Sequence, residues 1–300
     1  MTTNDALDQK ALASAREYMG VVAWPTIALG LVVSLSYIGT VAMTLAGFLP
    51  LWLAFPLVAV LTYLSYTVAH ESVHGSICGN HPSLRWVNKA LGYMAAWILM
   101  IPLTAHRHEH MAHHRHANDP VDDPDFQVKQ MQDSLPAAAR AAVQITVGQF
   151  SFYFKNRWKK APLQQNLLLC IEVAAALIPR LAVLMAGYWI EGVVLFVLAW
   201  MIGVIVLLYS FAYIVHRPHE KIGRYKDTST ILLPGPLGTL LTWLWMCQNY
   251  HSIHHLFPRV PFYQYAKLYK EIEEIMVAKG APVYRITTRG LKELQPVSAS

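Results

Sequence analysis

Histidines are the residues of this chain whose spacing suggests chemistry. His70 and His74 are four residues apart in the pattern H-E-x-x-H. On a helix, two residues with this spacing lie on one face, so both imidazoles can bind one metal ion. The same pattern is typical of zinc proteases, in which the glutamate, here Glu71, acts as the general base. Taken alone, this segment leaves zinc, iron and coincidence open.

A second spacing, H-x-x-H-H, occurs twice, at His110, His113 and His114 and again at His251, His254 and His255. Three imidazoles at positions i, i+3 and i+4 of a helix lie on one face. His216 adds a further candidate, because it ends the last long apolar stretch of the chain. Repeated ligand spacing indicates metal binding rather than the isolated structural role of an ordinary histidine.

The number of candidate ligands indicates two metal ions. Of the 14 histidines, nine are candidate ligands: His70, His74, His110, His113, His114, His216, His251, His254 and His255. Because a zinc site takes about four ligands, nine are too many for one ion and suitable for two. Imidazole binds iron, copper, zinc and nickel, so the ligand type does not identify the metal.

Polar residues beside the histidines are expected to orient them. A metal-bound imidazole usually donates its other ring N–H to a carboxylate, a carbonyl or water. The aspartate-rich segment 118–125 follows the second histidine cluster, although it could also be an ordinary turn. By their position we expect six residues to contact the ligand histidines without binding metal: Glu71, His116, Asp119, Asp123, His219 and Asn249.

Long apolar segments must carry these histidines. Only 14% of the residues are charged, against about a quarter in soluble domains. We predict four membrane spans of about 20 residues each, at 21–46, 50–70, 166–187 and 192–215. The apolar stretch 84–104 is predicted to be an interfacial or re-entrant helix, because a spanning helix would separate the second cluster from His70.

The distribution of charge gives the expected orientation. Lysines and arginines outside the spans gather in the N-terminal segment, the middle segment and the tail, and the two short turns have none. By the positive-inside rule, the termini and the metal site are cytoplasmic, with 71–165 and 216–300 on that side. In a bacterium the protein would lie in the inner membrane. Arg180 lies inside a span, where it could reach the far interface or pair with Glu172.

The same composition excludes other classes of protein. The net charge of +6 is assigned to loops that face anionic lipid, since no basic segment alternates with stacking aromatics as in single-strand nucleic-acid binders. The three cysteines are far apart, which argues against a disulfide framework. We predict one all-α integral membrane domain over 1–300, with two transmembrane helical hairpins and a cytoplasmic helical cap that holds a di-metal site.

The histidine motifs resemble those of the membrane fatty acid desaturase and hydroxylase superfamily. Residues 110–125, H-M-A-H-H-R-H-A-N-D-P-V-D-D-P-D, resemble the second histidine box of carotenoid β-ring oxygenases. Residues 213–219, Y-I-V-H-R-P-H, resemble an H-R-P segment of that group. Residues 248–263 are similar to the third box of desaturase-like β-carotene 3-hydroxylases.

This resemblance implies a di-iron centre held by the nine histidines, with O2 as co-substrate and electrons from ferredoxin or a similar donor. It also implies a lipophilic substrate that enters from the bilayer. Hydroxylation of β-carotene at ring position 3, to cryptoxanthin and zeaxanthin, is the expected reaction. A β-ring ketolase and a fatty acyl desaturase remain alternatives, and a membrane zinc protease is a remote one. Ala212 stands where some acyl desaturases have asparagine, which disfavours the acyl alternative.

Overall fold

A computed structural model of the chain describes residues 3–287 and 290–294, most of which are helical. The helices are α1 Thr3–Arg16, α2 Trp24–Leu45, α3 Leu51–His74, α4 Arg85–Leu99, α5 Leu103–His116, α6 Leu135–Asn156, α7 Leu163–Met185, α8 Trp189–His216, α9 Gly235–Leu244, α10 His251–Leu256 and α11 Tyr265–Ala278. Two stretches of α8 have π-helical hydrogen bonding, Val194–Ala199 and Tyr209–Tyr213. The strands are β1 Thr230–Leu232, β2 Val283–Thr287 and β3 Gly290–Glu293.

Four helices are long and apolar enough to cross a membrane, namely α2, α3, α7 and α8. They form the two predicted hairpins, with ends that differ by a few residues from the expectation. The largest difference concerns α3, which continues to His74. Helix α3 ends where Gly75 adopts a left-handed φ of 70°, a conformation that glycine tolerates without strain. The whole H-E-x-x-H pattern is therefore helical.

The two hairpins approach closely through small residues. A Cβ atom at Gly203 of α8 would lie 2.6 Å from the carbonyl oxygen of Ala59 in α3. Small residues let membrane helices approach backbone to backbone, where dispersion and weak polar contacts replace the hydrophobic effect. This contact fixes α8 against α3, so that His216 and His74 come to the same end of the bundle.

Helices α4 and α5 form a re-entrant hairpin between the spans. Its turn, residues 100–102, lies beside the part of α7 that contains Arg180. Arg180 is about 26 Å along the helix axis from Leu163, the first residue of α7, at 1.5 Å per residue. The hairpin therefore reaches deep among the spans before α5 returns to the histidine-bearing end, in agreement with the re-entrant alternative.

The two charged residues within α7 form hydrogen bonds with backbone groups at the end of α4 and the start of α5. Arg180 donates through Nη2 to the carbonyl of Trp97, at the end of α4, over 2.9 Å. Glu172 accepts from the backbone N–H of Thr104, at the start of α5, over 3.0 Å, and from the Thr104 hydroxyl. Both alternatives for Arg180 were therefore wrong, because the open ends of α4 and α5 require a donor and an acceptor at this depth.

The remaining elements form a layer at the histidine-bearing end. Helix α1 packs against α11, with an ion pair between Asp8 and Lys279 at 3.0 Å. Strand β1 pairs parallel with β2, and β2 pairs antiparallel with β3, a small sheet that the sequence did not reveal. The carbonyl of Ile231 in β1 accepts from Asn249 over 3.0 Å, which fixes the segment that leads into α10. The apolar segment 231–246 is interrupted at Pro234 and divides between β1 and α9.

Candidate metal centre

Four elements bring the predicted ligands together. The last turns of α3 carry His70 and His74, and α5 carries the second cluster on one face. The end of α8 supplies His216, and α10 carries the third cluster. The rings are buried or half-buried, and the four elements meet at the same end of the bundle. The structure therefore brings together helix ends that are far apart in the sequence.

The histidines form two groups that could each hold a metal ion. One group contains His70, His74, His110, His114 and His254, and the other contains His113, His216 and His255. Within each group the ligand nitrogens lie within 4.8 Å of one another. The adjacent residues His113 and His114 belong to different groups, as do His254 and His255. The two groups therefore lie side by side, with α5 and α10 contributing to both.

The distances between ring nitrogens fit ligands of a common ion. The Nε2 atom of His110 lies 2.9 Å from that of His74 and 3.0 Å from that of His114. Two nitrogens bound to one ion at about 2.0–2.1 Å and at a right angle are themselves about 2.9 Å apart. The observed separations are therefore those of neighbouring ligands on one ion.

The hydrogen bonds of the second group suit a cation between two of its rings. His113 donates Nδ1–H to the carboxylate of Asp123 over 2.9 Å, and His216 donates Nδ1–H to the carbonyl of Asp227 over 3.2 Å. In the neutral rings, both Nε2 atoms then carry lone pairs, and they face each other at 3.2 Å. Two lone pairs cannot share a hydrogen bond, but they suit a metal ion placed between them. The residues present thus fit two metal ions.

His251 is the one predicted ligand outside both groups. Its ring centroid lies 4.8 Å from that of His255 and 5.2 Å from that of His216. Its Nδ1–H donates to the side-chain oxygen of Gln248 over 2.7 Å, which leaves Nε2 free to bind metal. His251 therefore borders the three-histidine group and has the proton arrangement of a ligand.

Three residues orient ligand histidines without having been singled out from the sequence. Tyr265 contacts Nδ1 of His254 through its hydroxyl at 3.0 Å, Gln248 contacts His251, and the Asp227 carboxylate lies 3.6 Å from Nδ1 of His255. Gln248 precedes His251 by three residues, a helical spacing that could have revealed it. Asp227 and Tyr265 come from other segments, and the sequence near the histidines contains no signal for them.

Of the six residues expected to orient the ligands, Asp123 does so directly. Its carboxylate bonds His113 and also accepts from the backbone N–H of Asn118 over 2.8 Å. His219 is buried, and its ring stacks on Tyr213, with its centroid 6.5 Å from that of His216. Its backbone N–H donates to the carbonyl of His216 over 2.8 Å, so His219 is tied to the group through the backbone rather than through its ring.

The other four expectations differ from the observed contacts. Glu71 accepts from the Thr26 hydroxyl and the backbone N–H of Phe262, both over 2.8 Å, because its position next to His70 turns it by about 100° around α3, away from the metal groups. It is therefore not placed as the general base of a zinc protease. Asp119 accepts from backbone N–H groups of its own turn. Of the remaining two, Asn249 donates a hydrogen bond to the carbonyl of Ile231 in β1, and His116 is half-exposed.

Electrostatics keep most of the ligands in the neutral form. Burial lowers the pKa of His110 and of His254, and the neighbouring imidazoles lower both further. Burial also lowers the pKa of His113, but the charge of Asp123 outweighs it and raises the pKa to about 9. The neutral imidazole is the form that binds metal. In His113, the carboxylate holds the proton on Nδ1 and directs Nε2 toward the group.

A cleft with a volume of about 40 Å³ lies beside the five-histidine group. Leu207, Leu208 and Phe211 of α8 contribute to its apolar lining, and its polar lining includes Glu109 and Asp125. Tyr66 separates the cleft from the ligands, and its ring stacks on His70 with centroids 5.4 Å apart. An apolar group in this cleft would therefore be separated from the five-histidine group by the ring of Tyr66.

Comparison with known proteins agrees with this geometry. The family model described as fatty acid desaturase matches residues 46–287. A β-carotene ketolase from Paracoccus sp. (strain PC1) is 28% identical over 236 residues, which cover 71% of this chain and 82% of the ketolase. A ketolase from a second Paracoccus strain is 25% identical over 227 residues, covering 70% of this chain and 79% of that protein.

A fatty acid conjugase from Calendula officinalis is 24% identical over 264 residues, covering 73% of this chain and 69% of the conjugase. The matched region contains all nine predicted ligands and three of the four helices that could cross a membrane, α3, α7 and α8, whereas α2 ends just before it. Because the family model covers most of the chain, this protein belongs to the fatty acid desaturase family, and it is an O2-dependent oxidoreductase of that family.

Proposed function

We propose that this protein hydroxylates the β-ring of a carotenoid, most specifically carbon 3 of β-carotene, to give cryptoxanthin and then zeaxanthin. The two histidine groups beside a largely apolar cleft are the observation that carries this proposal. They suit an oxidation of a substrate that is dissolved in the bilayer. The motif of residues 248–263 supports the 3-hydroxylase assignment.

The proposed metal centre contains two irons, with the nine histidines as ligands. Bound there, the irons would supply the reduction of O2 and an oxidant for an unactivated C–H bond. For hydroxylation the balance is one C–H bond, O2, two electrons and two protons, which give one alcohol and one water. The electrons would come from ferredoxin or a similar donor protein.

The chain contributes geometry and exclusion of water. Asp123, Gln248 and Tyr265 hold the Nδ1 atoms of three histidines, which fixes the direction of each Nε2. The walls of the cleft shield the centre from water, and this protects the C–H oxidation from side reactions. Because the residues around the histidines do not determine which carbon reacts, the position of the ring in the cleft selects it.

The proposed placement has the histidine-bearing end in the cytoplasm. The supporting observation is the absence of lysine and arginine from the two turns at the opposite end, 46–50 and 186–188. The whole chain then forms one membrane domain, with both termini on the side where soluble electron donors are found.

A ketolase is the second candidate, because two relatives are β-carotene ketolases. Ketolation oxidises ring carbon 4 repeatedly, and it needs the same site with a different ring position. Acyl-lipid desaturation is a third outcome to test, since the family also contains a fatty acid conjugase.

Pigment analysis of β-carotene-producing bacteria that express the chain tests this proposal. We expect cryptoxanthin and zeaxanthin with the wild type, and unchanged β-carotene with His113→Ala. The matched control is His81→Ala, an exposed histidine outside both groups, which should retain activity. Keto pigments would instead assign a ketolase. Unchanged β-carotene, with protein present in the membrane and reductant supplied, would contradict a carotenoid substrate, and altered fatty acids in those cells would assign an acyl lipid.

A further inference from the structure

A cationic cleft opens beside the metal centre, between the start of α4 and the start of α7. It has a volume of about 470 Å³ and contains four arginine and lysine side chains, Arg85, Lys89, Arg107 and Arg259. All four are exposed, and none forms a salt bridge to an acidic side chain within residues 3–287 and 290–294. The lining includes no aspartate or glutamate. Such a concentration of unpaired positive charge favours an anionic ligand.

The cleft continues into an apolar groove between the same two helices. The groove has a volume of about 190 Å³ and its lining shares Tyr93 and Leu168 with the cleft. Further apolar lining comes from Ala96 and Trp97 of α4 and from Ile171 of α7. A hydrogen bond from Trp97 Nε1 to the carbonyl of Ala175, over 2.8 Å, joins the two helices along this groove. Charge and apolar surface are therefore parts of one continuous depression.

The spacing along α4 matches the cross-section of a lipid leaflet. Arg85, Lys89, Tyr93 and Trp97 are each four residues apart and thus lie along one helical face. From the first to the last, the axial distance is about 18 Å at 1.5 Å per residue. Half of a hydrocarbon core about 30 Å thick is about 15 Å. The cations lie at the outer end of this face, and the apolar residues lie along the part that faces acyl chains.

We propose that the cleft and the groove together bind one anionic phospholipid. Its phosphate lies among the four cations, and one acyl chain lies between α4 and α7. Basic pockets between membrane helices on the cytoplasmic side are typical sites for anionic headgroups. Asn88 also lines the cleft, and its Oδ1 atom is buried with no hydrogen-bond partner in the described part of the chain. This acceptor suits a headgroup that carries hydroxyls.

The apolar groove favours a phospholipid over a free phosphate or an acidic protein. A free phosphate would use the cations only, and the surface of an acidic electron donor could not enter an apolar groove between membrane helices. A phospholipid uses both parts. The only acidic residue of the groove, Glu172, already accepts two hydrogen bonds from Thr104, so it is engaged away from the ligand.

Retention of lipid by the purified, delipidated protein tests the proposal without any measurement of catalysis. We expect native mass spectrometry to show one retained dioleoyl phosphatidylglycerol and about tenfold weaker retention of phosphatidylcholine. Arg85→Gln with Lys89→Gln should weaken retention of phosphatidylglycerol roughly 30-fold, because each cation near an anionic lipid contributes a factor of about five. The matched control is Lys155→Gln with Lys159→Gln, which neutralises two exposed lysines outside the cleft and should have no effect.

A second variant tests the groove by itself. Ala175 is exposed at the groove, so Ala175→Phe should obstruct the acyl chain and weaken retention of phosphatidylglycerol with the cations intact. Equal retention of the two phospholipids, or equal effects of the two double variants, would overturn the proposal. Displacement of the lipid by millimolar inorganic phosphate would assign a phosphate site. Displacement by an acidic [2Fe–2S] ferredoxin at low salt would assign the cations to a protein partner.

Discussion

Arg180 and Trp97 are joined by a hydrogen bond from the guanidinium Nη2 to the backbone carbonyl, over 2.9 Å. Trp97 lies in the last turn of α4, where its carbonyl also accepts a longer bond, 3.3 Å, from the backbone N–H of the capping residue Met100. The guanidinium also lies 4.6 Å from the centroid of the Trp97 ring. Since hydrocarbon offers no water to such carbonyls, Arg180 replaces water at the end of the re-entrant helix.

Replacement of Arg180 should therefore destabilise the protein. We expect Arg180→Met to lower the free energy of unfolding by about 2 kcal/mol, because a hydrogen bond made by a charged group contributes about 1.5–3 kcal/mol. Removal of a guanidinium from the membrane interior offsets part of this loss. Thermal unfolding in one detergent, for both proteins, measures the difference.

Trp200 offers an independent test of the same helix end. Its Nε1–H donates to the carbonyl of Leu99 over 2.8 Å, so Trp200→Phe should cost about 1 kcal/mol with little change in packing. The exposed Lys159 is the control site, where Lys159→Met should leave the melting temperature unchanged. If Arg180→Met unfolds at the wild-type temperature, the carbonyls of α4 do not depend on Arg180.

Metal content should follow the division of the histidines into two groups. We expect about two irons per chain in the wild type, since nine ligands exceed the need of one ion. His216→Ala removes a ligand of the three-histidine group only, so the content should fall toward about one. Elemental analysis per mole of protein measures this. One zinc per chain in the wild type would contradict the di-iron proposal.

Asp123 should be required for tight metal binding although it is not proposed as a ligand. Asp123→Asn keeps the shape of the side chain and removes the charge that holds Nδ1–H of His113. Loss of such an orienting carboxylate typically weakens metal affinity 10- to 100-fold. Titration against a chelator of known affinity measures the metal affinity of each variant. The neighbouring Asp122→Asn is exposed and serves as the control, and equal affinities of the two variants would exclude an orienting role.

The cleft beside the five-histidine group should control access of the substrate. Ala212 of α8 lines the cleft, and Ala212→Phe adds a ring that obstructs it. We expect at least about tenfold less product at unchanged metal content, because misplacement of the reacting carbon by about 1 Å can cost 100-fold. Val206→Phe, on an exposed position of the same helix, is the matched control. Full activity of Ala212→Phe would place the entry of the substrate elsewhere.

The parts of the fold that were predictable depend on local patterns. Length and hydropathy identified the four long helices, and the helical period identified which histidines share a face. The segment 84–104 could be assigned as interfacial or re-entrant because residues 106–116 had to lie beside His70. The structure agrees at each of these points, apart from a few residues at the helix ends.

The parts that were not predictable depend on contacts between distant segments. Arg180 has its partner in Trp97 of another hairpin, and no pattern within α7 indicates that contact. Asp227 and Tyr265 reach histidines from segments of their own. Glu71 has the position of a catalytic glutamate in H-E-x-x-H, yet the fold of α2 against α3 supplies Thr26 as its partner. Such roles are set by packing that a single sequence does not display.

The order of the ligands along the chain has a consequence for biogenesis. Each of the two groups takes a histidine from α10, and the hydroxyl that orients His254 belongs to Tyr265, still later in the chain. During translation, His70, His74 and the second cluster are synthesised long before the histidines of α10. Neither metal position is complete until α10 has docked against α3 and α5. On the di-iron proposal, iron would be inserted after synthesis has passed Tyr265, and until then the incomplete cluster would be open to competing metal ions.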